Sequence, residues 1–231
     1  MAINFYEQKD MKKHLTKTVN PHFDSHQIKL PFRMLIVGSS GSGKTNTLLN
    51  LIYRMPDTFQ KIVIVTADKN EPLYNYLYEK SGGERCGVTI QNFDEKGLPD
   101  LKDFSRESNS LIVLDDLVNR SPKEQLPISE YFLRARKKGV SLVYISQSFY
   151  AVPRMIRNNL THILLKQVSS SRNLAMISKD CSIGVKKNVL TEMYKDATQG
   201  TGFLLFDLDN PKRPFRKGFD EYYELEPEDR D

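Results

Sequence analysis

Cysteine is scarce in this chain. Only Cys86 and Cys181 occur in 231 residues, and neither has the spacing of a metal site. Reduced, mostly buried thiols in an intracellular compartment are therefore expected, rather than a disulfide-stapled secreted fold. Long apolar runs are missing too. None approaches the roughly 20 residues that a membrane helix needs, so no membrane span is expected. The opening run Met1-Ala-Ile-Asn-Phe-Tyr-Glu-Gln-Lys9 lacks the charged-then-apolar layout of a leader. No internal repeat and no clear linker stand out, so one domain of ordinary size is the economical reading. A content of 39% hydrophobic and 27% charged residues is that of a soluble globular protein.

Charge is unevenly placed. The net charge is +5, yet Asp220 to Asp231 carry seven acids and one arginine, a net of −6, which leaves +11 on the preceding 219 residues. That excess suits a polyanionic partner. The organisation expected is a polar arm over 1–27, a body over 28–219 and an acidic tail over 220–231. The arm holds His14, His22 and His26, with no common metal spacing, and Lys9, Lys12, Lys13 and Lys17 read as a solvated face.

What the chain does have begins at Met34. Met34 to Val37 reads as a buried strand. It runs into Gly38-Ser39-Ser40-Gly41-Ser42-Gly43-Lys44-Thr45, which fits the Walker A pattern G-x-x-x-x-G-K-[ST]. Asn46 to Arg54 follows as a helix with Leu48, Leu49, Leu51 and Ile52 on its buried side. A phosphate chain needs inward-pointing backbone N–H groups, and Gly38, Gly41 and Gly43 permit them. The helix N-terminus adds positive potential, Lys44 reaches the β/γ-phosphates, and the Thr45 hydroxyl can ligate Mg²⁺.

A second motif is Leu111-Ile112-Val113-Leu114-Asp115-Asp116, four apolar residues and then acid, the Walker B pattern. Asp115 would hold Mg²⁺, and Asp116 is the candidate to polarise an attacking water. A further strand, Ser141 to Ser146, ends at Gln147, placed to sense a γ-phosphate. Other strands are expected at 61–66, 88–92, 161–166 and 201–207, and helices at 72–80, 127–138 and 189–197, with partial helix over 169–187. Residues 95–110 read as a surface loop. Strands alternating with helices predict an α/β fold with a mostly parallel sheet covered on both faces, the functional groups gathering at the strands' carboxyl ends. No Asn-Lys-x-Asp follows a strand, which argues against a guanine-specific regulatory GTPase.

The Asp115-Asp116 pair, the strand-terminal Gln147 and the Val-Pro-x-x-Ile-Arg-x-Asn segment over 152–159 resemble the genome-packaging ATPases of the FtsK–HerA superfamily, over about residues 30–210. The nearest members are those of large double-stranded DNA viruses of eukaryotes (poxvirus-like), virophages and self-synthesising transposons. The resemblance implies a three-layer RecA-like P-loop core with an added strand between the Walker A and Walker B strands. It implies ATP and Mg²⁺ as cofactors, double-stranded DNA as the translocated partner, a homo-oligomeric ring (hexamer or pentamer) and a capsid or vertex protein. It also implies an intracellular place, at the assembly site of an infected cell or in the virion. Lys44 and Thr45 would bind nucleotide and metal, Asp115 is the Walker B acid, and Gln147 is the sensor. The superfamily usually has glutamate where Asp116 stands. An arginine finger acting in trans would be Arg157, with Arg154 and Arg136 as alternatives. A small-molecule P-loop kinase, with an acceptor site within 67–110, and a nucleotide-gated scaffold without turnover are the rival readings.

Overall fold

The apolar runs become strands because both of their faces are covered. The computed structural model describes residues 19–181 and 184–230. Its strands are β1 (Arg33–Val37), β2 (Lys61–Thr66), β3 (Val88–Asn92), β4 (Ser110–Asp115), β5 (Val140–Ser146), β6 (His162–Leu165), β7 (Leu204–Asp207), β8 (Phe215–Lys217) and β9 (Glu221–Tyr222). The longer helices are α1 (Lys44–Arg54), α2 (Pro72–Ser81), α3 (Pro122–Ala135), α4 (Arg172–Cys181) and α5 (Lys187–Ala197). One sheet runs in the order β3-β2-β4-β5-β1-β6-β7-β8-β9. The first six are parallel neighbours, and β6 to β9 pair antiparallel.

Side-chain parity divides each central strand between two cores. Leu35, Val37, Ile112, Leu114, Leu142 and Tyr144 pack on one face with Phe132 of α3 and Leu190 of α5. Met34, Ile36, Leu111, Val113, Val143 and Ile145 pack on the other with Leu48 and Leu51 of α1 and Tyr74 of α2. The fold is thus the three-layer α/β P-loop architecture, with β5 inserted between the Walker B strand β4 and the Walker A strand β1, as the resemblance implied.

Several boundaries differ from the sequence reading. Helix α3 starts at Pro122, not Pro127, because Ser121 and Glu124 form a capping box; Pro127 lies inside the helix. Strands β8 and β9 were not anticipated in the basic and acidic runs. Cys86 is exposed rather than buried, since the glycines at 82, 83 and 87 turn the chain at the surface around it; Cys181 is half-buried. His14, Lys9, Lys12, Lys13 and Lys17 lie outside the described residues. From Asn20 onward the N-terminal segment packs on the body, with His26, Ile28 and Phe32 buried.

Candidate functional site

The sheet register sets the site. Val37 pairs with Ser146 and Asp115 with Ile145, so Gly38, Asp116 and Gln147 leave three adjacent strands at one level. Asp115 has the parity of Leu111 and Val113, which turns its carboxylate towards the face carrying α1 and α2. Gln147, with the parity of Val143 and Ile145, leaves its strand on the same side. Here they line a cavity of about 530 Å³ with Ser40, Gly41, Gly43, Lys44, Thr45, Asn46 and Asp116. Gly38, Ser39, Ser42 and Arg157 are not among the residues that line it.

The glycines act in two ways. Gly41 and Gly43 take φ of 73° and 81°, left-handed values that favour glycine, and Gly43 caps α1. Gly38 is required for space instead: a Cβ there would run into Ser42 Oγ and lie 2.8 Å from Lys166 Cβ. The loop is tied down by Gly38 N–H donating to the Ser146 carbonyl at 3.2 Å and Ser39 N–H to that of Gln167 at 3.0 Å. The Lys44 ammonium donates across its own loop to the Ser39 carbonyl at 3.0 Å. Burial lowers the Lys44 pKa, and the charges of Asp115 and Asp116 oppose that shift.

Asp115 is mostly buried, and burial pushes its pKa above the usual carboxylate range. The Tyr74 hydroxyl, donating to Oδ2 at 2.6 Å, pulls it back; Asp116 raises it again. Tyr74 is itself fully buried, its own pKa is raised, and its hydroxyl also meets the Thr45 side chain. Asp116 is exposed and adopts φ of 53°, a left-handed conformation that aspartate tolerates better than most residues. Gln147 is exposed at the cavity wall.

Four contributors escaped sequence reasoning. Tyr74 bridges the two Walker motifs from α2. Glu71 and Asp68 bring acid to the rim from the β2–α2 turn. Lys166, just past β6, sits behind the loop. Only the Glu71-Pro72 pair, a helix-start signal, hinted that this turn would present a carboxylate. Arg157 is engaged within its own chain: its guanidinium donates to Asp180 Oδ2 at 2.5 Å and lies over the Phe149 ring. Arg154 and Arg136 are exposed.

A pocket of this build invites comparison with known proteins. The DNA packaging protein OPG160 of Variola virus is 27% identical over 182 residues, covering 71% of this chain and 63% of the relative. The protein of that name from Vaccinia virus (strain Western Reserve) gives the same figures. This chain therefore spans less than two thirds of the length of these relatives. Among solved structures, B204, the DNA-packaging ATPase from Sulfolobus Turreted Icosahedral Virus, superposes with a TM-score of 0.55 at 14% identity, over 86% of this chain and 100% of that one. The genome packaging NTPase B204 from Sulfolobus turreted icosahedral virus 2, in complex with ATP-gammaS, gives 0.53 at 14% identity, over 85% and 100%. At such identity the likeness is one of fold. The family described as Poxvirus A32 protein matches residues 20–201, most of the chain, and the chain belongs to that family.

Proposed function

We propose that this protein is an ATP-driven translocase of double-stranded DNA that packages a viral genome. The observation that carries this reading is the convergence of Lys44, Thr45, Asp115, Asp116 and Gln147 on one cavity, in a chain whose relatives are DNA packaging proteins. The glycine loop and the N-terminus of α1 would cradle the phosphates, and Lys44 would exchange the Ser39 carbonyl for a phosphate oxygen. Thr45 and Asp115 offer hard oxygen donors side by side, and Asp115 is a buried carboxyl that a cation would favour in its charged form. They suit Mg²⁺, which when bound neutralises charge on the β- and γ-phosphates. Asp116 would polarise water, with Gln147 orienting it. The net +11 of residues 1–219 supports a polyanionic partner, and the work would be done by a hexameric or pentameric ring seated on a capsid or vertex protein in an infected cell. The kinase reading would need an acceptor site within residues 67–110, which form α2, the edge strand β3, three short helical turns (83–86, 93–96 and 101–103) and connecting loops.

The test is ATP hydrolysis with and without long double-stranded DNA. Stimulation by DNA is expected, abolished in Lys44→Ala and falling steeply with salt, because phosphate contacts dominate such binding. Phosphate transfer to a nucleoside monophosphate would favour the kinase instead. ATP binding with negligible turnover would favour the scaffold.

A further inference from the structure

One buried cation has no part in the chemistry above. Lys166 is 1% exposed. Its ammonium donates to the carbonyls of Thr201 at 2.6 Å and Gly202 at 3.4 Å, and to Thr47 Oγ1 at 3.1 Å. All three acceptors are neutral. Among the described residues, none of the ion pairs includes Lys166. A charge taken out of water without a counter-charge is costly, even when its hydrogen bonds are made.

Its place is specific. Lys166 does not line the nucleotide cavity but lies behind the loop that does. A Cβ on Gly43 would sit 3.7 Å from Lys166 Cε and 3.9 Å from its Nζ. Without ligand, three sources of positive potential crowd one loop: Lys44, the N-terminus of α1 and Lys166. The proximity of Lys44 further disfavours the charged form of Lys166. A polyphosphate on the open side would meet all three at once.

We infer that the counter-charge of Lys166 is the bound polyphosphate, so that Lys166 is a positioning residue that raises affinity for an anion in step with its charge while touching none of its atoms. This rests on the nucleotide reading of the loop. A mere strut between α1 and the Thr201–Gly202 turn would need hydrogen bonds but no charge, and the two roles separate experimentally.

Binding of ATP, ADP and AMP is measured by calorimetry for wild type, Lys166→Met, Lys166→Gln and Lys166→Arg, with the melting temperature of each ligand-free protein. The neutral variants should melt at or above the wild-type temperature. Their ATP affinity should fall about tenfold, ADP less and AMP by no more than about twofold, as Coulomb interaction with successive phosphates dictates. Lys166→Arg should recover part of the loss. Equal losses for ATP and AMP, unchanged ATP affinity in a folded neutral variant, or failure of both neutral variants to fold would overturn the inference. Repeating the series with tripolyphosphate, pyrophosphate and orthophosphate keeps the two readings apart. A graded loss there, with no nucleotide bound by wild type, upholds Lys166 and removes the nucleotide reading; a wild type that binds no polyphosphate overturns both.

Discussion

Tyr74 shows what a single hydroxyl can control. Among the described residues it is the one neutral side-chain donor on the Asp115 carboxylate, from 41 residues away in sequence. Its bond favours the charged form, so its loss should push the Asp115 pKa further upward. Tyr74→Phe is expected to lower hydrolysis several-fold and to move the acid limb of the pH–rate profile to higher pH; an unmoved limb would exclude this role. A second residue-scale expectation concerns the far end of the sheet. His162 is buried against Asp207 and Arg216, and burial lowers its pKa from 6.5 to about 4. The folded state keeps this ring neutral while the unfolded chain protonates it near 6.5, so stability present above that pH is lost as pH falls towards 4. The full loss is about 3 kcal/mol. Asp207, its carboxyl raised chiefly by burial, acts oppositely as pH falls. Denaturant midpoints at pH 7 and pH 5 should therefore differ in wild type and converge in His162→Phe.

Secondary-structure elements were legible where one physical signal dominated. The runs at β1, β2, β4 and β5 stood out because burial on both faces makes them continuously apolar. The two Walker motifs and Gln147 were legible for a related reason, each being fixed to a strand end by local sequence. Helix α3 was misplaced at its start because Pro127 looks like a first-turn proline, while the stronger signal was the Ser121–Glu124 box. Ser121→Ala should destabilise the protein by about 1 kcal/mol, measured by denaturant unfolding, with hydrolysis per folded molecule unchanged. Strands β8 and β9 were hidden because their pairing partners, not their own periodicity, make them strands. Arg216, in the middle of β8, is wholly buried, donating to the carbonyls of His26 and Gln27 and to Asp207, so a charged position that reads as surface is core. Tyr74 and Lys166 were illegible on the same ground: their roles depend on tertiary neighbours that no spacing rule reveals.

At the scale of the whole molecule, the proposed ring requires one subunit to report to the next. Arg157 is held by Asp180 in the isolated chain, so a trans role requires that pair to open on assembly. Mixing Arg157→Ala subunits with Asp116→Asn subunits is expected to restore part of the hydrolysis that each loses alone. No recovery at any ratio would transfer the role to Arg154 or Arg136, which are exposed.

The insertion of β5 has a mechanical consequence. That strand is hydrogen-bonded along its length to the strands on either side, and its residues are buried from Val140 to Ser146. A splint fastened on both edges cannot slide, so Gln147 cannot relay a change in the γ-phosphate by shifting its own strand. The stretch beyond it is anchored in turn: Phe149 and Val152 are buried, and the Phe149 N–H donates to Asn173 Oδ1 at 2.7 Å.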